Sequence, residues 1–198
     1  MNFLIIGGFL GSGKTSLLLQ LARYMSEDLG IKKTVILENE IGKVGIDDRV
    51  LAGAGYDVRG MFAGCVCCTM AGELSLTVKA IEQEIAPEWI IMEATGMAFP
   101  QNVQDNLRDA LGLDSRICCL ADAKRWPRLL KPMEHLLPLQ LKNADTVLIN
   151  KTDLIDGDAL RSVEESVSGF CERAKIFKVC LNENVGTDVL DSILGRGV

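Results

Sequence analysis

NFLIIGGFLGSGKTSLLLQLARYM, residues 2–25, decides the fold. Asn2 to Ile6 is an apolar run short enough for a buried strand. Leu17, Leu18, Leu21, Ala22 and Met25 then recur at helical spacing. Between them, Gly8-Phe9-Leu10-Gly11-Ser12-Gly13-Lys14-Thr15 fits the spacing G-x-x-x-x-G-K-[ST]. A strand, a glycine-rich turn and a helix in this order build a phosphate cradle. The glycines let backbone N–H groups turn inward, and Lys14 places a positive charge near the outer phosphates. The Thr15 hydroxyl is a ligand for Mg²⁺, and the helix beginning near Lys14 adds its positive dipole end. Gly8, Gly11, Ser12, Gly13, Lys14, Thr15 and Ser16 are therefore candidate phosphate-binding residues. A chance glycine turn would not need both flanking elements.

Working outward, the apolar runs Thr34–Leu37, Trp89–Met92, Arg116–Ala121, Thr146–Ile149 and Lys175–Val179 read as further buried strands. Leu74, Val78, Ile81 and Ile85 form a helical stripe that Pro87 stops. Further helices are expected near 101–111, 124–142, 157–168 and 187–194. Residues 39–60 carry five glycines and read as long loops with little regular structure. Strands alternating with helices predict an α/β fold: a doubly wound, mostly parallel sheet with helices on both faces. In such a sheet ligands bind at the carboxyl ends of the strands. A length of 198 residues suits a single domain over 1–198.

Charge and composition exclude several functions. A net charge of −6 opposes nucleic-acid phosphates, so no DNA or RNA partner is expected. No apolar run is long enough to cross a bilayer, so no membrane association is expected. The apolar N-terminus lacks a basic leader and runs directly into the phosphate loop, unlike a signal peptide. A cytoplasmic location follows, where thiols stay reduced. The basic group Lys124, Arg125, Arg128 and Lys131 reads as a solvated helix face.

Asn150-Lys151-Thr152-Asp153 follows a buried strand. The Asp153 carboxylate can accept from both the ring N–H and the exocyclic amine of guanine. Adenine offers neither donor in that arrangement and would leave the carboxylate unpaired. The Lys151 stem can lie over the base, and Asn150 can brace this loop against the phosphate loop. GTP is thus expected over ATP. Ile90-Ile91-Met92-Glu93 is an apolar strand ending in a carboxylate, with Gly96 beyond it. Glu93 can hold Mg²⁺ through a water, and the Gly96 N–H can sense the γ-phosphate. Lys14, Thr15 and Glu93 are the candidate catalytic residues.

The remaining chemistry lies in Glu38-Asn39-Glu40-Ile41-Gly42 and in Gly64-Cys65-Val66-Cys67-Cys68. Glu38 and Glu40 share a face if the strand continues, and suit Mg²⁺ or a second metal. In extended chain Cys65 and Cys67 share a face, and Cys68 points away. A tetrahedral thiophilic ion such as Zn²⁺ wants four ligands. Cys68, Glu38, Glu40, water or thiolates of a second subunit can complete the set; Co²⁺ and Ni²⁺ remain alternatives. Cys118, Cys119, Cys171 and Cys180 read instead as small core residues, and His135 as an ordinary surface or packed residue.

GFLGSGKT, ENEIG, GCVCC, EATG and NKTD, in that order over about residues 4–155, resemble the CobW-like GTPases, grouped with the urease and hydrogenase nickel-insertion GTPases. The resemblance implies a P-loop GTPase of the metallochaperone class. Such a protein couples GTP binding and hydrolysis to delivery of a metal or metal cofactor to a client metalloenzyme. Cys65, Cys67 and Cys68 occupy the family's C-x-C-C positions. Many relatives carry a further C-terminal domain and a histidine-rich stretch, whereas this sequence has one histidine. Lys43 stands where relatives often carry an acidic residue, and Cys180-Leu181 matches poorly the loop that reads guanine O6. Because no hydrolytic group is evident beyond the phosphate ligands, turnover is expected to be slow without a nucleotide-dependent homodimer or a client. Two competing readings are a thiol redox sensor built on the same scaffold and an ATP-dependent small-molecule kinase, which N-K-T-D opposes.

Overall fold

The computed structural model describes residues 1–38, 57–60, 71–171 and 173–196, with 38, 57–60 and 71 described as backbone. Among these residues seven parallel strands form one sheet: β1 (Asn2–Gly8), β2 (Thr34–Glu38), β3 (Asp57–Gly60), β4 (Trp89–Glu93), β5 (Arg116–Asp122), β6 (Thr146–Asn150) and β7 (Lys175–Lys178). Their order across the sheet is β3-β2-β4-β1-β5-β6-β7. Helices α1 (Lys14–Glu27), α2 (Ala71–Ile85), α3 (Pro100–Leu111), α4 (Trp126–Leu129), α5 (Leu137–Leu141), α6 (Gly157–Ser168) and α7 (Thr187–Leu194) connect them.

Alternation along the strands sorts the core into two layers. Phe3 and Ile5 of β1, Cys119 and Ala121 of β5 and Val147 and Ile149 of β6 pack with Leu74, Val78, Val103, Leu107, Trp126 and Val163. Leu4 and Ile6, with Cys118 and Leu120, face the other way, onto Leu17, Leu18 and Leu21 of α1 and Leu190 and Ile193 of α7. Both faces are covered, so the central strands read as unbroken apolar runs rather than alternating ones. Burial pushes the thiols of Cys118 and Cys119 far above their usual range and Cys171 up to about 11. These thiols are unreactive packing groups, as expected.

Two expectations require correction. Residues 57–60 are not loop: Asp57–Gly60 pairs with β2, Glu38 beside Gly60. Residues 124–142 are not one helix but α4 and α5 separated by turns. Pro127 and Pro138 lie at the start of the two short helices, where a missing N–H costs nothing. Pro132, between them, cannot continue the first.

The strand order fixes the place of the site. β1 sits between β4 and β5, so connections leave it toward both edges of the sheet. The crevice at the carboxyl end of β1 is where α/β sheets of this type take ligands, and the glycine-rich loop leaves β1 there.

Candidate functional site

Three glycines of the loop occupy the left-handed region: Gly8 (φ 134°), Gly11 (φ 71°) and Gly13 (φ 109°). A Cβ at Gly13 would lie 2.4 Å from Asn150 Nδ2, and one at Gly8 would lie 2.6 Å from the Leu120 carbonyl oxygen. Gly13→Ala is expected to cost about 1–3 kcal/mol from the backbone conformation alone. It also drives Asn150 from the loop. Urea denaturation of this variant checks the effect, and an unchanged midpoint would refute the tight packing described here. At Gly96 a Cβ would stand 2.7 Å from the Leu10 amide nitrogen, so the turn after β4 touches the loop crest.

α1 begins at Lys14, whose side chain is 4% exposed, and its ammonium lies 3.9 Å from Glu93 Oε1. The Thr15 hydroxyl donates to the same carboxylate, 3.2 Å from Oε2. The three candidate catalytic groups thus meet at the ends of β1 and β4. A hydroxyl and a carboxylate in contact are hard oxygen donors of the kind Mg²⁺ prefers, so these residues fit that ion. Ser12 is fully buried, and its hydroxyl has no hydrogen-bond partner among the described residues.

Asn150 ends β6. Its amide Nδ2 donates to the Ser12 carbonyl at 2.8 Å, and its Oδ1 accepts from the Leu181 N–H at 2.9 Å. It therefore ties the phosphate loop to the loop after β7. Lys151, in the left-handed region at φ 66°, donates from Nζ to the Gly11 carbonyl at 2.7 Å. Gly11, Gly13, Lys14, Thr15, Ser16, Glu93, Asn150 and Lys151 surround one cavity of about 310 Å³. Gly8, Ser12 and Gly96 lie outside its lining, while Leu181 and Asn182 join it. Asp153 is exposed in a short 3₁₀ turn, Thr152–Leu154. The Cys180 thiol hydrogen-bonds to its carboxylate, which, ahead of burial, raises the thiol pKa. Cys180 is thus half-buried beside the turn of residues 150–153, not the core residue expected from the sequence.

Sequence reasoning missed Asp122. It ends β5 with a side chain 2% exposed. Its carboxylate accepts from Lys151 Nζ at 2.7 Å, Arg125 Nε at 2.8 Å and the Arg125 backbone N–H at 3.1 Å. Arg125 in turn donates to the Leu10 carbonyl. One carboxylate therefore holds two cations, and each cation holds a carbonyl at the crest of the phosphate loop. Arg125 is a clamp, not part of a solvated face. Burial raises the Asp122 pKa, but the Lys151 hydrogen bond, the Arg125 N–H and the two positive charges outweigh it and hold the carboxyl below its usual range.

Among the described residues no three His, Cys, Asp or Glu side chains gather into a metal site. Cys65, Cys67, Cys68 and Glu40 lie outside the described residues, as does Lys43. The backbone of Glu38 is placed: it lies in register with Glu93 on the adjacent strand. His135 is exposed beside Glu134.

The family model described as "CobW/HypB/UreG, nucleotide-binding domain" matches residues 2–178. The chain belongs to this family. Among curated members, it is 30% identical to the zinc chaperone CobW of a Sinorhizobium species, over 98% of this chain and 62% of that protein. It is 33% identical to the zinc-regulated GTPase metalloprotein activator 1 of Schizosaccharomyces pombe, over 88% of this chain and 44% of that protein. The chain thus spans less than two thirds of these relatives. The crystal structure of the hydrogenase maturation factor HypB from Archaeoglobus fulgidus superposes with a TM-score of 0.69 at 17% identity, over 98% of this chain and 89% of that one. This likeness shows the fold. CobW/HypB/UreG membership agrees with the resemblance read from the five ordered motifs, and the three-layer α/β architecture agrees with the class expected from strands alternating with helices. Among the described residues no helix is long and apolar enough to cross a membrane.

Proposed function

We propose that this chain binds Mg²⁺–GTP, hydrolyses it slowly, and couples its nucleotide state to delivery of a metal ion, with zinc the first candidate, to a client protein. The observation that carries the reading is the meeting of Lys14, Thr15 and Glu93 with Asn150 and Lys151 around one cavity in a member of this family. Lys14 and the loop N–H groups hold the phosphates, and Thr15 with Glu93 holds Mg²⁺, which neutralises phosphate charge when bound. Asp153 reads the guanine edge, whose two donors replace the Cys180 thiol at its carboxylate. The curated relatives named as zinc chaperones support zinc as cargo. Its proposed ligands are Cys65, Cys67 and Cys68 with Glu38 or Glu40.

The topology supports the coupling. β2 ends at Glu38 beside Glu93, β3 ends at Gly60 on the same edge, and α2 begins at Ala71. In a parallel sheet a crossover helix starts at the carboxyl edge of the strands, so both flanks of the thiol motif stand at the nucleotide end. Nucleotide-dependent movement at Glu93 is adjacent to them. A homodimer or the client supplies the groups that speed hydrolysis.

Base selection tests the nucleotide half of this reading. GTP is expected to bind at least about 100-fold more tightly than ATP. Asp153→Asn presents an amide, which matches the carbonyl that xanthine carries where guanine has its amine. The variant should therefore prefer XTP to GTP in a fluorescent-nucleotide competition. Equal affinity of the wild type for ATP and GTP would remove Asp153 from base recognition.

A further inference from the structure

At the opposite end of the sheet from the phosphate loop lies a larger cavity, of about 1000 Å³. It sits under the amino-terminal edges of the strands, where Asn2, Trp89, Arg116 and Lys175 begin β1, β4, β5 and β7. Its charge is opposite to that of the molecule. The chain carries −6 overall, yet among the described residues five basic side chains line this cavity against two carboxylates.

One of these carboxylates is ion-paired and the other, Asp145, keeps its charge while accepting a backbone hydrogen bond. Asp145 Oδ2 accepts from the Ile117 N–H at 2.8 Å, and Asp114 lies 3.6 Å from Arg108 Nε. Arg116 is fixed by the end of α7, donating to the Ile193 and Ser192 carbonyls at 3.0 and 3.3 Å. Three cations remain: Lys142, Arg173 and Lys175 are exposed, line the same cavity and make no ion pair among the described residues. Like charges lining one cavity repel one another, and an anion bound between them relieves the repulsion and gains charge-assisted hydrogen bonds.

We propose that this cavity is a second ligand site, for a small polyanion carrying phosphate or several carboxylates, held by Lys142, Arg173 and Lys175. Its concave form and volume, at the upper end of the range for small-molecule sites, favour a compact metabolite over an extended acidic peptide. The site is independent of the guanine nucleotide reading, since none of its residues belongs to the phosphate loop, the base-reading loop or the thiol motif.

Calorimetric titration with inorganic phosphate and with citrate, in Mg²⁺-free buffer, tests the proposal on the wild type, Lys14→Ala and the double variant Lys142→Ala/Arg173→Ala. Saturable binding of at least one probe is expected in the wild type and in Lys14→Ala, weakened tenfold or more in the double variant. Both cations of the double variant are exposed, so it is expected to fold, which circular dichroism verifies. Binding lost in Lys14→Ala but kept in the double variant would place the anion in the phosphate loop and overturn the proposal. Absence of saturable binding, or tighter capture of an oligo-glutamate peptide than of either probe, would also overturn it.

Discussion

Lys14→Ala is expected to lower single-turnover GTP hydrolysis by about 10²–10³-fold while leaving the fold intact. Lys14 is 4% exposed, and its ammonium stands 3.9 Å from Glu93 Oε1. A charge fixed in a nearly dry site acts on developing phosphate charge without reorganising, and removing one such donor typically costs that factor. The loss should exceed the loss of GTP affinity, because the loop N–H groups and the dipole of α1 still hold the ground-state phosphates. Hydrolysis within tenfold of wild type, measured with Mg²⁺ at saturating enzyme, would mean that Lys14 plays no part in the transition state.

Asp122→Asn is expected to destabilise the protein by about 2–3 kcal/mol. Breaking a fully buried ion pair costs about 3–5 kcal/mol because the surviving charge is stranded. Here the survivors are Lys151 and Arg125, 31% and 44% exposed, which water reaches, so the lower figure applies. The effect should depend on pH. The folded-state pKa of Asp122 lies below its usual value, so its contribution is complete above the unfolded carboxylate pKa, about 3.9, and disappears as pH falls through the folded value. The stability difference between wild type and Asp122→Asn should therefore be flat from pH 5 to 8 and shrink below about pH 4. GTP affinity should fall as well, since Lys151 and Arg125 lose the anchor that sets them on the Gly11 and Leu10 carbonyls. A difference that grew on acidification would contradict the assignment of Asp122 as the charged anchor.

The parts of this molecule legible in its sequence are those written in local patterns. The glycine loop, the apolar strands and the N-K-x-D turn each carry their geometry within a few residues, and the alternation of strands with helices gave the doubly wound class. The edge strand β3 was not legible, since Asp57-Val58-Arg59-Gly60 has neither an apolar run nor a clear alternation. It is a strand through its pairing with β2. The break between α4 and α5 was legible in Pro127, Pro132 and Pro138, but the leucines around them imitate a continuous helical stripe. Asp122 was invisible for a different reason. A single acidic residue closing an apolar strand acquires meaning only when tertiary structure brings Lys151 to it from 29 positions away. Cys180 likewise looked like any small core residue until the loop after β7 placed it on Asp153.

In the proposed function, nucleotide state and metal affinity are one equilibrium. It is tested most directly by titrating reduced protein with Zn²⁺ and Co²⁺, wild type against Cys67→Ser, with and without Mg²⁺ and a non-hydrolysable GTP analogue. The account predicts metal binding that requires Cys67 and whose dissociation constant changes about fivefold or more when the analogue is bound. Equal metal affinity in wild type and Cys67→Ser, or an affinity the nucleotide leaves unchanged, would contradict it and leave a GTP-binding protein whose thiols serve another purpose.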